Sequence, residues 1–318
     1  MSTTQRNYSF DFARALCVLW IVGFWHLLNY LPQEFRLGEQ ALPICKEITF
    51  SVLACFTFLS GYFLKKYEFN KGHDVLTFYK KRFKRFYPLF VVAAFSLIIC
   101  GSTIRQILFA ITGLSMLYPP PIQTLWYFSM LLFFYLCTPL LKVSNKRTMQ
   151  NIVFALFLLA ILIGGYFFAD RRMIMYFPFY VLGLNIPNKI VEKTLNIYTL
   201  LLSIGVFIGF CFIGSDNIVL QIIQALTGVF AILSFSKIVY NDKIQIPIAF
   251  IAEASMCAYL FHRPIYTIIT VLLRKVSSYQ YMPLLIAVIS VIVVFIIGYY
   301  IQRLYNKLNN QISLKYGR

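Results

Sequence analysis

Arg14 and His26 stand in one apolar stretch, FDFARALCVLWIVGFWHLL (residues 10–28), long enough to cross a bilayer. Holding an arginine at mid-bilayer costs at least ~2.5–3.5 kcal/mol, less near the edge, so an ionisable group inside such a segment is a functional candidate by default. Asp11 lies three residues before Arg14 on the same helix face, and the two can form an anchoring salt bridge. His26 lies 12 residues beyond Arg14. At ~1.5 Å per residue that is about 18 Å deeper, out of direct reach. A neutral imidazole there can take a proton from a hydroxyl as a general base, or attack as a nucleophile. The structural reading is a hydrogen bond between helices.

A second histidine repeats the arrangement. In IAEASMCAYLFHRPIY (251–266), Ser255, Tyr259 and His262 fall at i, i+4 and i+7, one face of a helix, with Pro264 just beyond. His26 and His262 are similarly far from the starts of their segments, so their depths should match. The same argument puts Glu253 in the layer of Arg14, where a direct or water-bridged pair is expected. The third feature is FYKKRFKRFYP (78–88), with Lys80, Lys81, Arg82, Lys84 and Arg85 interleaved with aromatics. Such a run anchors a membrane protein on anionic headgroups. Arg82 and Arg85, three apart, can also clamp phosphates in bidentate fashion, which lysine does less specifically.

The elements that must position these groups are membrane helices. Of the 318 residues, 60% are hydrophobic and 13% charged, a balance that excludes an ordinary soluble domain. Spans of roughly 20 apolar residues are expected near 10–31, 45–64, 87–104, 125–142, 151–169, 173–186, 195–214, 217–238, 248–272 and 282–304, with 105–118 as a re-entrant or interfacial helix. The first is read as a retained helix and not a cleaved signal. The net charge of +18 would suggest nucleic acid in a soluble protein, but here orientation and anionic lipid account for it. With the N-terminus in the cytoplasm, 20 Lys and Arg fall inside and 7 outside, which fits ten spans with both termini cytoplasmic. The seven cysteines show no metal-binding spacing.

Several stretches together resemble the acyltransferase-3 family of integral-membrane O-acyltransferases, which modify surface glycans. They are FDFARALCVLWIVGFWH, FTFLSGYFLKK (56–66), FYKKRFKRFYPLF (78–90), LWYFSMLLFFYLCTPLL (125–141), FPFYVLGLNI (177–186) and AYLFHRPIY (258–266), and their order covers nearly the whole chain. The resemblance implies a ten-helix fold that carries an acyl group, usually acetyl, from coenzyme A on the cytoplasmic side to a sugar hydroxyl. It implies that Arg14 and His26 are the family's paired Arg and His, that Arg82 and Arg85 are its Arg-x-x-Arg cluster, and that His262 is its late histidine. Trp126, Tyr127 and Ser129 would form the aromatic-serine stretch after the Pro-rich loop. The family usually places ten residues between the paired Arg and His; here there are eleven, and Trp25 occupies the usual offset. One residue turns a helix by ~100°, so His26 keeps its direction only if a π-bulge absorbs the extra residue.

The resulting expectation is an all-α polytopic membrane protein, one membrane acyltransferase domain over 1–318, multi-pass in the cell inner or plasma membrane. Its chemistry falls to His26, Arg14, His262 and Tyr259. Donor binding falls to Arg82, Arg85, Lys81, Lys84 and Arg14, and acceptor binding to Trp126, Tyr127, Ser129 and Glu253. Acetyl-CoA is expected as acyl donor, a glycan or lipid-linked glycan as acceptor, and membrane lipid as surroundings; no metal and no nucleic acid are expected, and the oligomeric state is open. The rival from another class is a lipid-glycan or polysaccharide exporter, which has no need of the cytoplasmic arginine pair.

Overall fold

A computed structural model of the protein describes residues 7–31, 33–35, 38, 41–69, 71–117, 120–142, 170–213, 217–274 and 282–316. Among them every regular element is helical: α1 (Tyr8–Trp20), α2 (Ala41–Leu64), α3 (Gly72–Ser96), α4 (Ile104–Ile111), α5 (Trp126–Lys142), α6 (Arg171–Asn185), α7 (Asn188–Thr194), α8 (Ile197–Ile213), α9 (Ile218–Val239), α10 (Gln245–Arg274) and α11 (Met282–Tyr316). Helices satisfy their own backbone groups, which is what an apolar chain in lipid requires.

Six described stretches are long and apolar enough to cross a membrane: Tyr8–Tyr30, Ala41–Leu64, Gly72–Cys100, Ile218–Val239, Asp242–Leu272 and Met282–Gln311. A seventh is possible by combining Asn188–Thr194 with Ile197–Ile213, which meet at a 78° bend. The expected span at 151–169 lies outside the described residues. The expected spans at 125–142 and 173–186 appear as helices of 17 and 15 residues, shorter than the ~20 that a straight crossing needs.

The helix that carries the span expected at 87–104 starts earlier, at Gly72, and runs through Pro88, so the whole basic run is helical. The start is fixed by Asp74, whose carboxylate accepts from the Lys71 backbone N–H at 2.9 Å. The segment expected at 105–118 forms the short helix α4, opened by a Thr103–Gln106 capping box.

The chain divides into two compact units, Met1–Phe56 with Ile186–Arg318, and Thr57–Asn185. In the first, α1 packs against α9 and α10, α10 against α11, and α8 against α9. The α10–α11 contact is close because a Cβ on Gly298 would come within 2.8 Å of the Ala258 nitrogen. The Trp20 indole N–H donates to Thr49 Oγ1 at 3.0 Å, joining the first span to the start of α2.

In the second unit the C-terminal part of α2 crosses α6 with almost nothing between them. A Cβ on Gly61 would run into the Tyr180 carbonyl and lie 3.0 Å from the Leu184 nitrogen; one on Gly183 would run into the Phe58 carbonyl and lie 2.9 Å from the Tyr62 nitrogen. Only glycine permits such an approach. Beside this crossing Phe134 packs on Phe177 and Tyr180; elsewhere in the unit the Tyr79 and Tyr87 hydroxyls donate to the carbonyls of Leu136 and Ile111 at 2.6 and 2.8 Å.

Candidate active site

The first span does not continue as a regular α-helix to His26. Residues Ile21–Trp25 form a π-helix, and the His26 N–H donates to the Ile21 carbonyl, five residues back, at 2.9 Å. A wider turn takes up one residue without redirecting the helix beyond it. The eleven residues between Arg14 and His26 are thereby accommodated.

His26 then meets the second histidine. Its Nδ1 is 2.8 Å from His262 Nε2, and His262 Nδ1 is 2.8 Å from the Tyr259 carbonyl oxygen. The two imidazole planes differ by 5°, with centroids 4.8 Å apart, which with so short an N···N distance describes rings joined edge to edge in one plane. A carbonyl oxygen only accepts, so His262 Nδ1 carries the proton. In neutral His262 the Nε2 is therefore an acceptor, and His26 must donate to it from Nδ1. That leaves the lone pair of neutral His26 on Nε2, the atom a general base or nucleophile uses. His262 is fully buried, and Tyr259 contributes its carbonyl to His262 and its ring, edge-on at 6.2 Å, to His26.

Arg14 lies lower on the same pair of helices. It donates from Nη1 to Asp11 Oδ1 at 3.3 Å, and from Nη2 to the Ala252 carbonyl at 3.2 Å and Ser255 Oγ at 3.1 Å. The expected direct pair with Glu253 is not formed: among the described residues the ion pair of Arg14 is with Asp11. Depth was matched but direction was not. Ala252 and Ser255, three apart, share the face of α10 that looks at α1, whereas Glu253 is rotated by ~100° from Ala252.

The arginine cluster of α3 is not uniform. Arg82 is half-buried, with its guanidinium 5.2 Å above the Tyr67 ring and 5.8 Å from Phe78. Its Nη2 donates to the Tyr67 hydroxyl at 3.2 Å, and its Nε is buried without a hydrogen-bond partner. Lys81 and Arg85 are exposed and Lys84 is half-buried.

The sequence model of the acyltransferase-3 family, described as an acyltransferase domain, matches residues 7–303. The chain belongs to the acyltransferase-3 family. It is a multi-pass membrane acyltransferase. No curated protein and no solved structure matches it.

Of the residues expected from the family's aromatic-serine stretch, Tyr127 and Ser129 are buried and Trp126 is half-buried. Trp126 lies between the Arg172 guanidinium, 4.1 Å from its ring, and the Tyr176 ring at 6.0 Å. Asp170 holds Arg172 through Nε at 2.7 Å and Nη2 at 2.6 Å. Burial alone would raise the Asp170 carboxyl, but these contacts outweigh it and hold the group below the usual carboxylate range. The Tyr127 hydroxyl is 3.3 Å from Thr57 Oγ1, and buried Ser129 donates to the Ala110 carbonyl at 3.2 Å. In this acyltransferase these contacts of the three side chains all lie within the second unit.

Two features escaped the sequence reading. One is a cavity of about 420 Å³ in the first unit, lined by Trp25, Leu42, Pro43, Lys46 and Glu47; Pro43, Lys46 and Glu47 at i, i+3 and i+4 mark one helix face, a visible signal. The other is Tyr266, one turn beyond His262, whose hydroxyl donates to the Val22 carbonyl at 2.9 Å.

Proposed function

We propose that the protein moves an acyl group, acetyl in the first instance, from coenzyme A to a sugar hydroxyl of a cell-surface polysaccharide or its lipid-linked precursor. The observation that carries this reading is the His262–His26 pair, which leaves Nε2 of His26 as the basic atom. The acceptor oxygen attacks the thioester carbonyl carbon while its proton passes to His26 Nε2. The C–S bond then breaks and the coenzyme A thiolate leaves, taking the proton. His262 holds the His26 ring by accepting from Nδ1. Arg14, fixed on Asp11, Ala252 and Ser255, supplies positive charge on the same pair of helices. The cavity beside Trp25 adjoins the residue preceding His26, and its indole, ammonium and carboxylate suit a polar acceptor.

Donor phosphates fall to α3. Arg82 offers an unpartnered buried donor on an aromatic support, while Arg85 and Lys81 offer exposed charge. We expect Arg82→Ala to weaken acetyl-CoA binding by ~10- to 100-fold, as loss of a charge-assisted hydrogen bond would, with thermal stability measured alongside. Arg82→Lys should recover part of it, and Arg85→Ala should cost less. Isothermal titration of purified protein with acetyl-CoA checks this; normal binding in the double alanine variant would reduce the cluster to a membrane anchor.

Ten spans with both termini cytoplasmic remain part of the reading. Cysteine labelling in intact cells should modify Glu34→Cys from outside and leave Lys66→Cys protected. The reverse pattern removes the donor-side assignment.

The deciding experiment for the function is release of free coenzyme A thiol by the purified protein given acetyl-CoA and membrane glycan extract, with mass spectrometry of the glycan. Acylated glycan is the expected product; glycan moved across vesicles without thioester cleavage would favour an exporter.

A further inference from the structure

We propose that Tyr266 is a positioning residue which locks the π turn of the first span, so that turn and hydroxyl form one register device for His26. The inference rests on the acyl-transfer reading for its kinetic consequence, but not for its geometry.

In an α-helix the His26 N–H would donate to the Val22 carbonyl, four residues back. Here it goes to Ile21 instead, and the Val22 carbonyl loses that donor. A carbonyl left without a partner in apolar surroundings is costly, and water is scarce inside a membrane protein. The Tyr266 hydroxyl supplies the replacement at 2.9 Å. Val22 and Tyr266 are both buried.

The same helix face makes both contacts. His262 accepts from the His26 ring, and Tyr266, four residues on, donates to the backbone four residues before His26. The Tyr266 ring also packs edge-on against His262 at 5.7 Å and Tyr30 at 5.2 Å, which fixes its hydroxyl. If the π turn relaxed to α, position 26 would rotate by ~100° and its Nδ1 would leave His262. The hydroxyl thus acts on the chemistry through the backbone, without touching the reacting atoms.

The test uses full-length protein in nanodiscs and two readouts, acyl-transfer kinetics and ¹⁵N spectra of the histidine rings, sparse because the chain has three histidines. Tyr266→Phe keeps the ring and removes the donor. We expect kcat to fall by ~10- to 100-fold, the scale of a small misplacement of a catalytic group, with KM for acetyl-CoA within about twofold. The hydrogen-bonded Nδ1–H signal of His26 should be lost at the same time. Deleting Gly23, whose missing Cβ would face only Val291 at 3.5 Å, restores ten residues between Arg14 and His26. In that background the His26 Nδ1–H signal should survive Tyr266→Phe.

Wild-type kinetics and spectra in Tyr266→Phe overturn the proposal. So does a loss of kcat with His26 signals unchanged, which would put the hydroxyl on the substrate. If wild-type protein transfers no acyl group, the functional reading fails, and the spectra of wild type and Tyr266→Phe still decide the register device.

Discussion

Replacing His26 by alanine lowers acyl transfer by ~10²- to 10⁴-fold, the usual contribution of a general base, with acetyl-CoA binding intact. The expectation comes from the tautomer chain: the Tyr259 carbonyl fixes the proton on His262, His262 fixes the proton on His26 Nδ1, and Nε2 is left basic. His262→Leu removes the acceptor that orients His26 and should also lower turnover, whereas His262→Gln retains an acceptor oxygen and should lower it less. Exchanging the residues, Trp25→His with His26→Trp, should not rescue, because the π turn directs position 26 and not 25 toward His262. Rates from purified variants, paired with titration of acetyl-CoA, measure this. Normal turnover in His26→Gln, which can hydrogen-bond but cannot serve as the base, would sink the assignment.

The largest effect on folding is expected at the α2–α6 crossing. In both Gly61→Ala and Gly183→Ala the added methyl meets backbone, which has no rotamer to yield. Overpacking typically costs ~1–3 kcal/mol, and more where two helices must separate, so both variants should lose most of their monodisperse protein in detergent. Gly205→Ala and Gly209→Ala are the controls: nothing lies within 4 Å of either added carbon, and alanine is favoured over glycine inside a helix by ~0.5–1 kcal/mol. Size-exclusion profiles and thermal melts of the four variants compare them directly. Equal stability in all four would mean the crossing is looser than described.

The pairing of His26 with His262 was legible because residue type and depth can both be counted along an apolar segment. Set against the ten residues usual in the resembling family, the eleven here made a wide turn the condition for position 26 to keep its direction, and Ile21–Trp25 meets it. Azimuth was the weaker coordinate. Glu253 shares its layer with Arg14, but Ala252 and Ser255 present the face that Arg14 meets, and depth alone does not distinguish neighbours one residue apart. Tyr266 was hidden for another reason: its partner is a backbone carbonyl, freed only by the π turn and invisible in residue types. The start of α3 was not legible from its span, because a span is read from its apolar residues, whereas the capping by Asp74 sets where the helix begins. The partners of Tyr127 and Ser129 were not legible, because a hydroxyl aimed at a neighbouring hydroxyl or carbonyl inside the protein looks the same in sequence as one aimed at a ligand.

The Gly61–Gly183 crossing also sets an order of events in time. Its halves are roughly 120 residues apart, so at ~5–20 residues per second a ribosome needs about 6–24 s to make the second after the first. During that interval the bare glycine face of α2 has only lipid or a transient neighbour against it. The joint is therefore a late one: the second unit acquires its tightest contact only when α6 has been made, and the part of α2 beyond Phe56 must wait for it in the membrane.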